Sequence, residues 1–394
     1  MSQRQAQVDL PLAARMAAIE PFYVMEIMAH AQQLVNAGRS VISLCVGEPD
    51  FPTPRPVVEA GIRALEKGRL PYTSALGLQE LREAISGFYA ERYGVDVPAR
   101  RVVVTSGSSA GLLLVMGAIL NPGEQVLLTD PGYPCNRQFV RIVGGEAVGV
   151  PVDAVTHYQL TDRLVEDHWR ANTRAVLVAS PANPTGMMID QGVLQAIARR
   201  VARHEGHLIV DEIYHGLTYG VDAKTALAWS DSLFVVNSFS KYFNMTGWRL
   251  GWVVAPEAYV RDLEKLAQNL YICPSTPAQY AALAAFSPET IAIAEERRHA
   301  FAARRDFLFE ALREIGFELP IVPEGAFYLY AGCQRFSDDS HQFALDLLDA
   351  TGVAITPGID FGVNHPERHV RIAYTTDIDN LEQAAEHIRR FVGG

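Results

Sequence analysis

From Arg101 onward, short β-branched runs alternate with longer amphipathic ones. R-V-V-V-T-S gives way to A-G-L-L-L-V-M-G-A-I-L, and later come Q-V-L-L-T-D, R-A-V-L-V-A-S, H-L-I-V-D-E and L-F-V-V-N-S. Strands apolar along their whole length are buried on both faces, and intervening helices provide the cover, so this pattern predicts a largely parallel sheet. Ligands of such a sheet sit beyond the carboxyl ends of its strands. Ahead of it, residues 21–37 predict a helix with Phe22, Met25, Met28, Ala31 and Leu34 on one stripe, expected to pack into the core. V-I-S-L-C-V at Val41 to Val46 predicts a buried strand, and G-E-P-D-F-P-T-P a turn-rich crossing into the next helix. Near Pro288 the character changes to a long charged helix, E-T-I-A-I-A-E-E-R-R-H-A-F-A-A-R-R-D-F-L-F-E-A-L, followed by shorter strands and two further helices. The expected fold is α/β: a large domain over 45–287 carries the mostly parallel, helix-covered sheet, and 1–44 with 288–394 form a smaller α+β domain.

Composition narrows the function. A chain of 394 residues is long enough to enclose a cleft between two units. A formal net charge of -11 argues against nucleic acid or an anionic membrane as the main partner and favours a small metabolite. No apolar run approaches a membrane span, and the N-terminus lacks a signal-peptide pattern, so a cytoplasmic protein is expected. Cys45, Cys135, Cys273 and Cys333 are scattered without C-x-x-C pairs, which suits reduced thiols and no structural metal. H-E-G-H at His204 to His207 lacks the H-E-x-x-H spacing and reads as a solvated helix end.

Three charges stand inside apolar runs: Asp211 ending H-L-I-V-D, Arg249 within G-W-R-L-G-W-V-V, and Arg371 within H-V-R-I-A-Y. Each needs a fixed partner, because an unpaired buried charge costs several kcal/mol. Internal salt bridges are one solution. The other is a polar anionic ligand, for which an arginine fork is suited. Lys241 lies in N-S-F-S-K-Y-F-N-M-T-G-W-R-L-G-W with no acidic neighbour, whereas Lys67, Lys224 and Lys265 lie in polar or charged contexts. T-S-G-S-S-A-G, Thr105 to Gly111, joins a strand to an apolar helix and offers free amides to a phosphate or simply caps the helix. S-P-A-N-P-T-G, Ser180 to Gly186, closes another strand, and Asn183 before proline is biased toward an extended conformation. One ligand that needs a cation for phosphate, an acid for a ring nitrogen and an amine for an aldehyde is pyridoxal phosphate.

With S-P-A-N-P-T-G, V-D-E-I-Y and S-F-S-K-Y-F-N-M-T-G-W-R-L-G in that order, the chain resembles the fold-type I, class I/II aminotransferases that use pyridoxal 5'-phosphate. The resemblance runs from V-G-E-P-D-F-P-T-P to V-R-I-A near residue 371. It implies that Lys241 forms the Schiff base and shuttles the α-proton, and that Asp211 keeps the ring nitrogen protonated. Asn183 and Tyr214 match the pair on the phenolic oxygen, and Tyr133 the aromatic stacked on the ring. Ser108, Ser109, Ser238 and Arg249 match the phosphate cradle. Arg371 matches the clamp on the substrate α-carboxylate, with Gly47 and Asn183 beside it. Tyr72 matches a tyrosine that reaches the neighbouring subunit's phosphate, which implies a homodimer with shared active sites.

The implied reaction moves an amino group from an L-amino acid to a 2-oxo acid. Carbon–sulfur β-elimination on the same cofactor is the alternative, and a non-catalytic ligand-binding regulator is disfavoured because the chain has no spare DNA-binding domain. No motif supplies a second arginine for a distal carboxylate. Phe22, Tyr23, Tyr271 and Phe327 are expected pocket walls, which points to a neutral or apolar donor.

Overall fold

The computed structural model describes residues 12–393. Among the described residues twelve strands are found: β1 (Ile42–Ser43), β2 (Val102–Thr105), β3 (Gln125–Asp130), β4 (Glu146–Pro151), β5 (Thr173–Ala179), β6 (His207–Asp211), β7 (Phe234–Ser238), β8 (Gly251–Val254), β9 (Tyr328–Gly332), β10 (Val353–Ala354), β11 (Thr356–Pro357) and β12 (His369–Ala373). Seven form one sheet in the order β2-β8-β7-β6-β5-β3-β4. Only β8 runs against its neighbours, so the carboxyl ends of β2, β3, β5, β6 and β7 open on one side. The five apolar runs read from the sequence are these five strands, and helices such as Gly107–Ile119 and Gln191–Arg203 lie between them. β4 escapes that reading because it is a half-covered edge strand rather than a continuously apolar one.

The remaining strands come from the chain's two ends. β9, β12 and β11 make an antiparallel sheet, while β1 pairs in parallel with β10. V-I-S-L-C-V thus supplies only a two-residue strand, after which Leu44 continues the bonding through Ala354 and Ala373. The long charged helix is Pro288–Ile315. Ser287 caps its first turn by accepting the Thr290 amide, Pro288 presets the first helical φ, and Gly316 ends it at φ +113°.

The N-terminal helix, Tyr23–Asn36, corrects one expectation. Ile27 and Ala31 are buried, with Val24 and Leu34 packed beside them, so the inward stripe is offset from the one predicted. Met25 and Met28 are 58% and 37% exposed instead of buried in the core. The helix is anchored at its start: the carboxylate of Asp360 accepts the amides of Tyr23 (2.7 Å) and Val24 (2.9 Å), which satisfies two of the otherwise free first-turn donors. No helix among the described residues is long and apolar enough to cross a membrane.

Candidate active site

The sheet's open side holds a cavity of about 310 Å³ that collects most of the singled-out residues. Each arrives on the residues that follow a strand. After β2 come Ser108 and Ser109, after β3 Tyr133, after β5 Asn183, after β6 Tyr214, and after β7 Lys241, while Asp211 is the last residue of β6 itself. Gly47 and Arg371 come from the chain's ends, next to the smaller sheets.

The cations are the informative groups. Arg371 is buried on β12, its guanidinium 4.4 Å from the Tyr328 ring centre and 4.9 Å from that of Phe361. Its Nη1 donates to Asn183 Oδ1 (3.0 Å), and Nη2 to the Cys45 carbonyl (2.5 Å) and Thr356 Oγ1 (3.3 Å). All three acceptors are neutral, and its Nε has no partner. Arg249 is not inside a strand as its apolar context suggested; it sits in a left-handed turn (φ 52°) before β8, exposed, with Nη1 on the Thr246 carbonyl. Among the described residues neither guanidinium forms a salt bridge with a carboxylate, so internal ion pairing does not account for them.

Arg249 lies against the start of the helix Gly107–Ile119. A Cβ on Gly107 would come 2.8 Å from its Nη2, and one on Gly251 would come 2.7 Å from the Ser108 amide. Two glycines therefore let a guanidinium and free helix amides meet beside the Ser108 and Ser109 hydroxyls, a donor set that suits a phosphate. Opposite in sign stands Asp211, 5% exposed, whose Oδ1 accepts the Ile213 amide (3.1 Å). Burial pushes its pKa up to about 7, against the pull of that amide and of Lys241. A cationic ring nitrogen is the kind of partner this acid lacks.

Lys241 donates from Nζ to the Gly47 carbonyl (2.6 Å) and lies 5.8 Å from the centre of the Phe327 ring. Burial lowers its pKa to about 8; Glu48 and Asp211 oppose the shift, while Arg371 and Arg249 add to it. The other three lysines are exposed. Tyr133 receives the Cys135 thiol on its hydroxyl (3.1 Å), and the Tyr214 hydroxyl is 2.9 Å from that of Tyr328. The Cys45 thiol is pushed up to about 12 by burial, so it stays protonated.

Two predicted residues stand apart. Ser238 is buried behind the wall, its hydroxyl taken up by Ser240 (3.0 Å) and the Leu250 carbonyl (3.2 Å), and Ser240 faces the cavity in its place. Tyr72 is 78% exposed and lies outside the cavity. Of the expected walls Phe22 lines it, whereas Tyr23 packs on His341 and Tyr271 lies elsewhere. Phe327 is a core residue, and its neighbour Tyr328 is the one that lines the cavity. Asp360 and Phe361 also line it without having been anticipated. His204 stacks on Trp169 and bonds Glu166, and no cluster of metal-binding side chains occurs among the described residues.

Gly47 has a steric reason to be glycine: an added Cβ would lie 2.0 Å from the Tyr328 hydroxyl. Gly47→Ala is therefore expected to displace Tyr328 and cost about 1–3 kcal/mol of stability. A thermal melt that matches the wild type would show that the ring moves freely.

A strand-end crevice holding an amine, an acid and two guanidiniums without carboxylate partners among the described residues fits the donor set that pyridoxal phosphate needs. The sequence matches the family described as aminotransferase class I and II over residues 39–388, and the chain belongs to that family. It is 40% identical to valine–pyruvate aminotransferase of Mycobacterium tuberculosis, covering 94% of this chain and 96% of that protein. It is 33% identical to aspartate aminotransferase of Bacillus subtilis, covering 97% and 99%. A crystal structure of an aminotransferase from Mycobacterium tuberculosis superposes with a TM-score of 0.93 at 40% identity, covering 97% and 99%. The protein is thus a fold-type I, pyridoxal-phosphate-dependent aminotransferase, acting on an amino acid and a 2-oxo acid. These relatives give no support to the lyase alternative.

Proposed function

We propose that this enzyme takes its amino group from a neutral, apolar L-amino acid, with Lys241 as the amine that joins the cofactor and moves the α-proton. The observation that carries the site is the charge in one cavity: among the described residues Arg249, Arg371 and Asp211 form no salt bridge, and a single lysine stands among them. When bound, pyridoxal phosphate supplies an aldehyde for the amine and a protonated ring that draws electron density from the α-carbon. Ser108, Ser109 and Arg249 would hold its phosphate, with Ser238 supporting Ser240 from behind. Asp211 would keep the ring nitrogen protonated, Asn183 and Tyr214 would bond the phenolic oxygen, and Tyr133 would stack on the ring. Arg371 would take the substrate α-carboxylate in the fork left by its unpartnered Nε, beside Asn183 and Gly47. Lys241, with its pKa near neutrality, can both accept and return a proton there.

Donor class follows from the apolar part of the cavity lining. Phe22, Val24, Met25, Met28, Leu112 and Phe361 belong to it, and among the described residues the only lysine or arginine side chains on the cavity are Lys241, Arg249 and Arg371, each already assigned. A distal carboxylate would find no further cation among the described residues, whereas an aliphatic side chain would bury apolar surface. The valine–pyruvate relative is consistent with this reading. With a saturating 2-oxo acid, kcat/KM for neutral aliphatic donors is expected to exceed that for aspartate and glutamate by about tenfold or more. Faster reaction with a dicarboxylic donor would overturn the assignment.

The enzyme is further read as a homodimer: Tyr72 is exposed and lies outside its own cavity, which leaves it free to serve the phosphate site of a second copy. The division into 45–287 and 1–44 with 288–394 is supported by the segregation of the sheets, and residues 1–11 of the second unit lie outside the described structure. Four free cysteines suit a reducing cytoplasm.

A further inference from the structure

Just past Asp211 the chain buries two more titratable side chains that the roles above do not use. The side chains of Glu212 and His215 are 1% and 2% exposed. Glu212 Oε1 is satisfied, accepting the Ala226 amide (2.7 Å) and the Thr225 hydroxyl (3.1 Å). Its Oε2 has no hydrogen-bond partner, nor has His215 Nδ1, and the two face each other 3.5 Å apart. Two bare acceptors buried in that position repel, so a proton belongs between them. The ring's other polar contact is the Ser180 backbone. A carbonyl there would accept a hydrogen bond from Nε2–H, leaving Nδ1 bare, and the shared proton would then come from the carboxyl group.

We propose that Glu212 and His215 form a neutral pair, the carboxylic acid donating to Nδ1, that braces the Ser180–Gly186 turn and so positions Asn183. The brace runs from the Thr225 hydroxyl and the Ala226 amide through Glu212 and His215 to Ser180, three residues before Asn183. Its surroundings favour neutrality. Burial raises Glu212 to about 8, and Asp211, its neighbour in the chain, adds to the shift. Burial lowers His215 to about 3, with the positive charge of Arg92 adding to it. Tyr93 packs on the imidazole with ring centres 5.8 Å apart, and burial raises both Tyr93 and Tyr89, so neither adds a charge.

The sign of the pH effect follows. The folded carboxyl group keeps its proton to about pH 8, whereas an unfolded glutamate loses it in the ordinary carboxylate range. Its contribution to stability is full below the ordinary carboxylate range, falls as pH rises above that range and is gone above about 8.

The test compares melting of the cofactor-loaded enzyme for wild type, Glu212→Gln and Glu212→Ala from pH 6 to 9. Glutamine keeps a neutral donor toward Nδ1, so this variant is expected within about 2 °C of wild type at pH 6, gaining on it as pH rises from there and holding a constant lead above about 8. Alanine leaves Nδ1 and two donors unpaired and is expected to lower the midpoint by about 3–6 °C at pH 6. If glutamine is as damaging as alanine at pH 6, the pair is a carboxylate–imidazolium ion pair and the proposal fails. The positioning half rests on the reading of Asn183 given above and is tested by titrating the visible absorbance of the loaded enzyme. His215→Phe is expected to move its pH midpoint in the same direction as Asn183→Ala, by less. A lowered melt with an unmoved midpoint overturns the brace. An unmoved midpoint in Asn183→Ala itself overturns the role of Asn183, while the melting comparison still decides the shared proton.

Discussion

Lys241→Ala is expected to lower amino transfer by about 10⁴-fold or more, because one side chain serves both as the attachment point and as the acid–base group. No other amine substitutes for it, since Lys67, Lys224 and Lys265 are exposed and outside the cavity. Cofactor is expected to be retained in part, held by Arg249 and the serines. The pH dependence has a definite sign. The amine must be neutral to attack an aldehyde, and with its pKa lowered to about 8 its neutral fraction grows as pH rises to that value. Uptake of cofactor by the cofactor-free protein should therefore quicken with pH and level off above about 8, and the variant should lose that dependence. Turnover within tenfold of wild type would remove Lys241 from the chemistry.

Asp211→Ala is expected to slow loss of the substrate α-proton by about 10³-fold with cofactor still bound. Asp211 is a buried acid at the carboxyl end of β6, with one backbone amide as its hydrogen-bond donor. Holding a carboxylate there unpaired is costly, so its ionised form depends on a cation facing it. Removing it frees the ring nitrogen to lose its proton and takes away the group that makes the α-proton acidic. Single-turnover exchange with deuterium measures this step apart from binding. A rate equal to wild type would leave Asp211 a structural residue.

Much of this site was legible because chemistry and pattern conflicted there. Asp211 and Arg371 stand out as charges in apolar strands, and both prove buried beside one cavity. Arg249 was found for a partly wrong reason: G-W-R-L-G-W-V-V looks like one strand, yet the residue occupies a turn that a positive φ makes possible. Phe327 and Tyr328 show the limit at a strand edge, where a shift of one residue exchanges core for cavity and composition cannot tell which aromatic faces which side. The methionine stripe fails similarly. Residues 22–28 carry apolar side chains on two adjacent helical faces, and only contact with the rest of the fold decides that Ile27 turns inward while Met25 and Met28 face the cavity. Asp360 had no local signature at all, because its partners Tyr23 and Val24 are more than 330 residues away in sequence. The Glu212–His215 contact was hidden in the same way: spacing alone does not say that i and i+3 side chains share a buried gap.

The most direct test of the account is to reduce the cofactor-loaded enzyme with borohydride, digest it and map the modified peptide by mass. With only four lysines in the chain, the outcome is unambiguous. The account predicts the phosphopyridoxyl mass on the peptide containing Lys241 and nowhere else; label on Lys67, Lys224 or Lys265, with Lys241 unmodified, would contradict it.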